Sequence, residues 1–493
     1  RRAPPRLLEP ARPRPVHPHA PAVHVAESLA PRARAVNPGD CPSPPPACIR
    51  GLRTPAGREP AAMTDIAKRV YDHQWKIDPI VRSVLDTDFY KLLMAQSVHH
   101  NHPQARVTFS LINRDAGVPL AKLIDEGELR EHLDHVRGLS LSRGESTWLR
   151  GNTFYGKRWM FEPGFMEWLE GFRFPDYHLE RRGDQYELTF EGAWPEAMMW
   201  EVPALAILME LRTRAVLRGM GKFELEVLYA RAKTRVWEKI QRLQALEGLA
   251  IADFGTRRRH GFLWQDWCVQ AMAEGLGSRF AGTSNCLIAM RHDIEAIGTN
   301  AHELPMVYAA LAGDDDAALA QAPYRVLSDW QADYDGNLLI LLPDTFGSDG
   351  FFRNAPDWVA RWTGVRVDSG DPFEGGERAL AYWQAAGQDP AEKRLIFSDG
   401  LDIDVIEALH ARFAGRAKVS YGWGTLLTND FRGLAEGDGL APFSLVCKAA
   451  RAEGRPCVKI SDNPSKATGP EDEIARYKRV FGVGEQEARA VAV

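Results

Sequence analysis

The chain has no run that approaches the roughly 18–20 consecutive apolar residues of a membrane-crossing helix, so no membrane partner is expected. It also lacks an excess of positive charge. Its 61 Lys and Arg stand against 66 Asp and Glu, a net charge of −5, which leaves no electrostatic footprint for nucleic acid. Cysteine is sparse: Cys41, Cys48, Cys268, Cys286, Cys447 and Cys457 are the only six. They form no CxxC pair, and no His–Cys cluster has the spacing of zinc ligands. The four beyond residue 62 therefore read as buried, reduced thiols of a cytoplasmic protein. No period of the kind that builds solenoids is visible.

Residues 1–62 lack apolar periodicity altogether. They hold 15 of the 32 prolines and 10 of the 61 basic residues, with only four acids. Such a segment cannot bury enough apolar surface to fold. It begins without Met and has no apolar h-region, so it is a poor signal peptide, and its Arg content fits a transit peptide only loosely. The expectation is a disordered Pro/Arg-rich extension, with Met63 the natural start. From Met63 on, the chain carries 51 basic and 62 acidic side chains, a charge of −11.

That remainder has the composition of a globular protein, within a chain that is 45% hydrophobic and 26% charged. The whole length suggests two or three domains. Asp86 or Thr87 can cap a helix that runs toward His100 with Tyr90 off its apolar face. Residues 105–112 alternate like a strand, 119–137 read as charged helix, and 185–190 as a second strand. A long apolar helix follows over 198–220, with Pro203 in its first turn, and a polar helix covers 226–248. From residue 250 short apolar runs recur at 250–254, 286–290, 294–297, 338–342, 364–367, 394–397, 417–421 and 444–447. Helical patterns such as 373–386 and 402–414 lie between them. This is βα grammar and predicts a parallel sheet. Eight candidate strands suggest a barrel, with an open doubly wound sheet as the alternative. In either case, polar residues just after the strands belong at the rim that binds ligands.

Four such strand ends carry distinctive chemistry. In AIGTNAHELPM (296–306) a Gly turn precedes His302 and a helix start near Glu303, a geometry that presents N–H groups to an anion. On spacing alone His302 stays open between a structural and a catalytic role. In FGTRRRH (254–260), Arg257, Arg258 and Arg259 follow a Gly turn, and only one or two can face a site. Arginine's planar fork suits phosphate or carboxylate. In VRVDSGDP (365–372), Arg366 and Asp368 share a strand face, and Ser369, Gly370 and Asp371 form a turn that serves either sugar hydroxyls and hydrated Mg²⁺ or only a helix cap. In SYGWGTLLTND (420–430), Gly424 and Thr425 can wrap a phosphate with backbone N–H groups. SDGLDI adds Ser398, Asp399 and Gly400. Together these suit a phosphorylated ribose and an aromatic base.

Read in order, TDFYKLLM, FGTRRRH, AGTSN, GTNAHE, VRVDSGDP, SDGLDI, GWGTLLTND and VKISDNPSKATGP resemble the nicotinate phosphoribosyltransferase family. The resemblance runs from about Asp86 to Gly469. It implies an irregular α/β barrel (about 201–447) and a second α+β domain built from 63–200 and completed by about 448–493. It implies an ATP-dependent, ligase-type glycosyl transfer. Nicotinate and phosphoribosyl pyrophosphate become nicotinate mononucleotide and pyrophosphate, with Mg²⁺ as cofactor and ATP as co-substrate, as the first step of NAD salvage from nicotinate. By resemblance His302 is the phosphohistidine and Asp368 a catalytic residue at the ribose. Tyr90, Phe254, Arg257, Ser284, Thr299 and Arg366 are implied for nicotinate, with Tyr90 and Phe254 sandwiching the ring. Ser369, Gly424 and Thr425 are implied for phosphoribosyl pyrophosphate. The family comparison further implies a homodimer in which Tyr90 reaches in from the second subunit.

One departure from the family pattern is Trp423, which stands where a small or aliphatic residue is expected between two glycines. The nearest rival is nicotinamide phosphoribosyltransferase, which carries Asp where this chain has Ser284. An amide needs an acceptor, whereas a carboxylate ligand would be repelled, so Ser284 favours the acid. Quinolinate phosphoribosyltransferase lacks the GTNAHE histidine. A scaffold without turnover would be expected to have lost His302 or Asp368.

Overall fold

The computed structural model describes residues 79–437 and 439–484, all within the unit Thr64–Val493. The expectations for residues 1–62 and for a Met63 start lie outside the described residues. In chain order the strands are β1 (Arg106–Asn113), β2 (Thr153–Phe154), β3 (Lys157–Arg158), β4 (Tyr177–Arg182), β5 (Gln185–Ala193), β6 (Ile251–Asp253), β7 (Phe280–Thr283), β8 (Ile340–Leu341), β9 (Gly364–Val367), β10 (Arg394–Phe397), β11 (Lys418–Trp423), β12 (Leu445–Ala452) and β13 (Arg455–Pro456). The helices that position the site are α1 (Phe89–Asn101), α2 (Glu201–Leu217), α3 (Lys222–Gln244), α4 (Phe262–Leu276), α5 (Cys286–His292), α6 (Glu303–Leu311), α7 (Pro372–Ala385) and α8 (Ile403–Phe413).

Two principal sheets result. One is antiparallel, in the order β13-β12-β1-β5-β4. The other is parallel, in the order β7-β6-β11-β10-β9-β8. A parallel bridge from Thr283 to Ala296 carries the second sheet one segment past β7. The Asn300 side-chain amide then donates to the Ile340 carbonyl of β8 at 3.3 Å. The 296–300 segment thus closes the sheet into the expected irregular barrel, beside an α+β part built around the antiparallel sheet. Among the described residues no helix is long and apolar enough to cross a membrane.

The barrel strands differ from the expected set in three places. The apolar run 286–290 is helical, inside α5. The Asn285 side chain accepts from the Ile288 N–H, and the Cys286 and Leu287 N–H groups donate to the Thr87 and Leu85 carbonyls. A five-residue apolar run cannot by itself distinguish a buried strand from a buried helical turn. The strand is instead β7, whose Gly282 has φ 134°; a Cβ there would lie 2.1 Å from the Glu295 carbonyl oxygen. With Thr283 its single β-branched residue, this strand is marked by close backbone approach at Gly282 instead of by an apolar run. The run 444–447 belongs to β12, which pairs antiparallel with β1 and is not a barrel strand.

α1 also starts differently from expectation. Phe89 to Val98 are all buried, as in a helix enclosed on every side. Its N-cap is Asp88, whose side chain caps nothing. Asp86 instead holds Arg259 with two hydrogen bonds of 2.7 and 3.0 Å, both side chains fully buried. A bidentate pair of this kind satisfies two desolvated charges at once.

Candidate active site

Parallel strands deliver their C-terminal residues to one rim, and here that rim faces β12. The cavity between them measures about 190 Å³ and is lined by Tyr90, Phe254, Arg257, His302, Asp368, Gly424 and Thr425, among others. A second cavity of about 330 Å³ runs inside the barrel. It exists because small residues face inward: Ala250, Ala252, Ala281, Ser420 and Gly422 all line it. Phe254 and Arg366 line both cavities and form the boundary between them. Gly422 is required at this boundary, because a Cβ would sit 2.3 Å from the Phe254 ring.

His302 is the N-cap of α6 and is held from both ring nitrogens. Nε2 lies 2.9 Å from Asp368 Oδ2, and Nδ1 lies 2.9 Å from Thr345 Oγ1. Burial pulls its pKa down to about 4, against the opposing pull of Asp344 and Asp368. The ring is therefore neutral at physiological pH, with Nε2–H donating to Asp368 and Nδ1 accepting from the Thr345 hydroxyl; the network implies this tautomer. Burial works against ionisation of Asp368 too, but Arg366 and its hydrogen bonds hold the carboxyl well below the usual range. Its other oxygen accepts from Ser398 Oγ at 2.5 Å.

Around the ring-facing side, one carboxylate organises several partners. Glu201 Oε2 accepts from Tyr90 Oη at 3.2 Å and lies 2.6 Å from Lys91 Nζ. Its Oε1 lies 3.2 Å from Arg257 Nη1. Lys91 is fully buried and also reaches Glu303 Oε2 at 2.5 Å, next to His302 in the chain. The Trp194 indole N–H donates to the other Glu303 oxygen at 2.7 Å. The Arg257 guanidinium lies 5.6 Å from the Tyr90 ring centroid, within cation–π range.

The cavity also gathers basic side chains. Arg114, Arg258, Lys448, Lys459 and Lys466 all line the smaller cavity. Burial, then Arg257, pushes Arg258 down to about 10. Burial lowers Lys448 far below an ordinary lysine, with Lys459 and Arg114 adding to the effect. Lys459 is lowered by burial. Lys466 is paired with Asp399 at 2.5 Å and Lys459 lies 3.6 Å from Asp344, whereas Arg258 and Lys448 are desolvated beside other cations and gain stability when an anion enters. The basic cluster therefore suits a polyanion such as a diphosphate.

The expected residues divide into two groups. His302, Asp368, Tyr90, Phe254, Arg257, Arg366, Gly424 and Thr425 come together at the smaller cavity. Thr299 faces the barrel cavity instead. Ser369 is buried and donates to Asp344 Oδ2 at 2.6 Å, so its hydroxyl is already engaged. Ser284 is likewise buried and donates to Asp88 Oδ1 at 2.6 Å. A carboxylate therefore already stands beside Ser284, which corrects the argument that a neutral hydroxyl alone marks this corner. Asp371 caps α7 by accepting from the Phe373 and Glu374 N–H groups, the plainer of its two readings. Of the three arginines, Arg257 and Arg258 line the cavity while Arg259 is the partner of Asp86. Tyr90 lines the cavity of its own chain. Trp423 is buried with its indole N–H on the Leu401 carbonyl at 2.8 Å.

Residue reading missed Arg114, Glu201, Asp344, Thr345, Lys448, Lys459 and Lys466 as site groups. Asp344 and Thr345 had the same signal as the others, since they end the 338–342 strand run. Lys459 and Lys466 lie in VKISDNPSKATGP, a motif with visible chemistry but no strand-end context. Glu201 opens an apolar helix, where it reads as an N-terminal acid and nothing more.

A family model described as the nicotinate phosphoribosyltransferase (NAPRTase) family matches residues 249–485, and one for that family's N-terminal domain matches residues 85–209. Among solved structures, nicotinate phosphoribosyltransferase from Vibrio cholerae is 30% identical, with a TM-score of 0.75 over 84% of this chain and 96% of its own. The enzyme of that name from Porphyromonas gingivalis is 29% identical, with a TM-score of 0.71 over 82% of this chain and 100% of its own.

Proposed function

The chain belongs to the nicotinate phosphoribosyltransferase family, and we propose that it makes nicotinate mononucleotide and pyrophosphate from nicotinate and phosphoribosyl pyrophosphate. We further propose that ATP stimulates the reaction through a phosphohistidine at His302, as the first step of NAD salvage. The observation that carries this reading is one cavity lined together by a neutral, doubly held His302, Asp368, five further basic side chains and the aromatic residues Tyr90 and Phe254.

The chemistry divides between these groups. Breaking the bond from C1′ to pyrophosphate leaves positive charge on the ribose, so catalysis consists of stabilising the leaving group and aligning the ring nitrogen. The basic cluster receives the pyrophosphate, Gly424 and Thr425 the 5′-phosphate, and Asp368 the ribose side. Tyr90 and Phe254 flank the pyridine ring, and Arg257 and Arg366 supply cations for its carboxylate. Those cations favour the acid over the amide. Ser284 and Ser369 act behind this layer, through Asp88 and Asp344, and Thr299 faces the ring from the barrel cavity.

The chain's own donors fit Mg²⁺ as a companion of the diphosphate. Mg²⁺ is commonly held by one or two carboxylates plus substrate phosphates. Asp344 Oδ1 is buried without a hydrogen-bond partner, Asp368 and Asp399 line the cavity, and the described residues contain no all-protein metal cage. When bound, the ion would neutralise charge on the leaving pyrophosphate. A neutral His302 is the form that can accept a phosphoryl group, and that group would add about −1.5 to −2 charge beside Asp368 and Lys459. The buried thiols Cys268, Cys286, Cys447 and Cys457 suit a reducing, cytoplasmic setting.

The test is an assay of the full chain with nicotinate or nicotinamide, phosphoribosyl pyrophosphate and Mg²⁺, with and without ATP. Nicotinate mononucleotide should form, faster with ATP, and acid-labile label from γ-labelled ATP should appear on the protein. His302→Ala should retain slow synthesis but lose the label and the stimulation. Preferred use of nicotinamide would overturn the substrate assignment, and label persisting in His302→Ala would move the phosphate elsewhere.

A further inference from the structure

β2 and β3 form a two-residue hairpin, pairing Thr153 with Arg158 and Phe154 with Lys157. Its turn is Tyr155–Gly156, with φ of 51° and 76°. Both turn positions of such a hairpin need φ > 0, which glycine and asparagine adopt readily and tyrosine does not. The aromatic residue is thus held where its backbone is least suited, and its contacts account for that.

The Tyr155 hydroxyl donates to the Gly298 carbonyl at 2.8 Å and accepts from the Gly298 N–H at 2.7 Å. Its own N–H donates to Glu295 Oε1 at 2.8 Å. One residue therefore holds the segment that closes the barrel at its middle and at the residue just before it. From its other side Gly298 packs on Tyr90, where a Cβ would lie 2.6 Å from the backbone nitrogen. Thr299 follows directly, and Tyr155, Thr299, Phe254 and Arg366 all line the barrel cavity.

We infer that Tyr155 is a positioning residue for recognition of the pyridine substrate. Its hydroxyl fixes the two peptide groups that flank Gly298, and through them the backbone of Tyr90 and the side chain of Thr299. This rests on the proposed nicotinate reaction. The hydroxyl touches no reacting atom, so its loss should act on substrate affinity more than on the chemical step.

Tyr155→Phe removes only the hydroxyl and keeps the ring that caps the cavity. The expected result is a rise of about tenfold in KM for nicotinate, the scale of the two lost hydrogen bonds. KM for phosphoribosyl pyrophosphate should stay within about twofold. Hydrogen exchange of the full-length protein, read by mass spectrometry, should be faster in the peptide spanning 296–304 and unchanged in α3. Unchanged exchange at 296–304, or equal changes in both KM values, would overturn the inference. Failure of the wild-type chain to make nicotinate mononucleotide would overturn the proposed function instead, and the exchange experiment would still decide whether Tyr155 fixes the turn.

Discussion

Lys91→Met tests the charge network behind the ring-facing wall. The lysine is fully buried, with its ammonium 2.6 Å from Glu201 and 2.5 Å from Glu303. Methionine approximates its shape and removes the charge. Glu201 then retains Arg257 at 3.2 Å, while Glu303 retains the Trp194 N–H but loses this cation. Removing one partner of a buried ion pair costs about 3–5 kcal/mol, a large part of the about 5–15 kcal/mol typical of a folded protein. Urea unfolding at pH 7.5 should show a lower midpoint with an unchanged slope. The loss should also depend on pH. Burial already raises the pKa of Glu303, and loss of the lysine raises it further above the unfolded value of about 4.3. The penalty is then complete at high pH and shrinks as pH falls through the raised pKa toward 4.3, because the folded state holds the extra proton. Adding Glu303→Gln removes the orphaned charge and should recover about 1–3 kcal/mol, the scale of coupling between contacting residues. A loss below about 1 kcal/mol, or one that is equal at pH 5 and pH 8, would refute the reasoning.

Gly298→Ala places a Cβ 2.6 Å from the Tyr90 nitrogen and 3.1 Å from its Cα. It should cost about 1–3 kcal/mol of stability, the range for overpacking, and raise KM for nicotinate. Mixing Tyr90→Ala with Asp368→Ala should restore no activity after verified subunit exchange, because both side chains line one cavity of one chain; substantial recovery would show that Tyr90 serves another copy. The buried His302, pulled down to about 4, predicts that phosphorylation of the protein by ATP holds its rate from pH 8 to about 5.5 and falls as the ring protonates near 4. A titration midpoint near 6.5 would refute the neutral-ring assignment. The same shift makes His302 a source of acid lability, since the unfolded ring binds its proton near 6.5 and stability declines as pH drops from there toward 4.

Much of the site was legible because strand ends have a local grammar. A short apolar run followed by glycine, charged or hydroxyl residues reports its own position on the rim, as at Arg257, Asp368, Gly424 and Thr425, whereas His302 stays open on spacing alone and takes its role from the family resemblance. Barrel strands β6, β9, β10 and β11 and the strands β1 and β5 were legible from the same periodicities. Gly298 and Gly422 stand within recognisable motifs, but what requires glycine there is the approach of Tyr90 and of the Phe254 ring, partners far away in the chain. Tertiary structure alone decided the rest, because those outcomes depend on partners far away in the chain. Whether 286–290 became strand or helix depended on the Thr87 and Leu85 carbonyls. Whether Ser284 and Ser369 met a ligand depended on Asp88 and Asp344, each close enough to claim the hydroxyl first. The basic cluster gathers Arg114, Arg258, Lys448, Lys459 and Lys466 from separate segments, and no spacing records that convergence. Lys91 carries no mark of burial in its own neighbourhood. Only packing α1 against the starts of α2 and α6 removes it from water and gives it Glu201 and Glu303 as counter-charges.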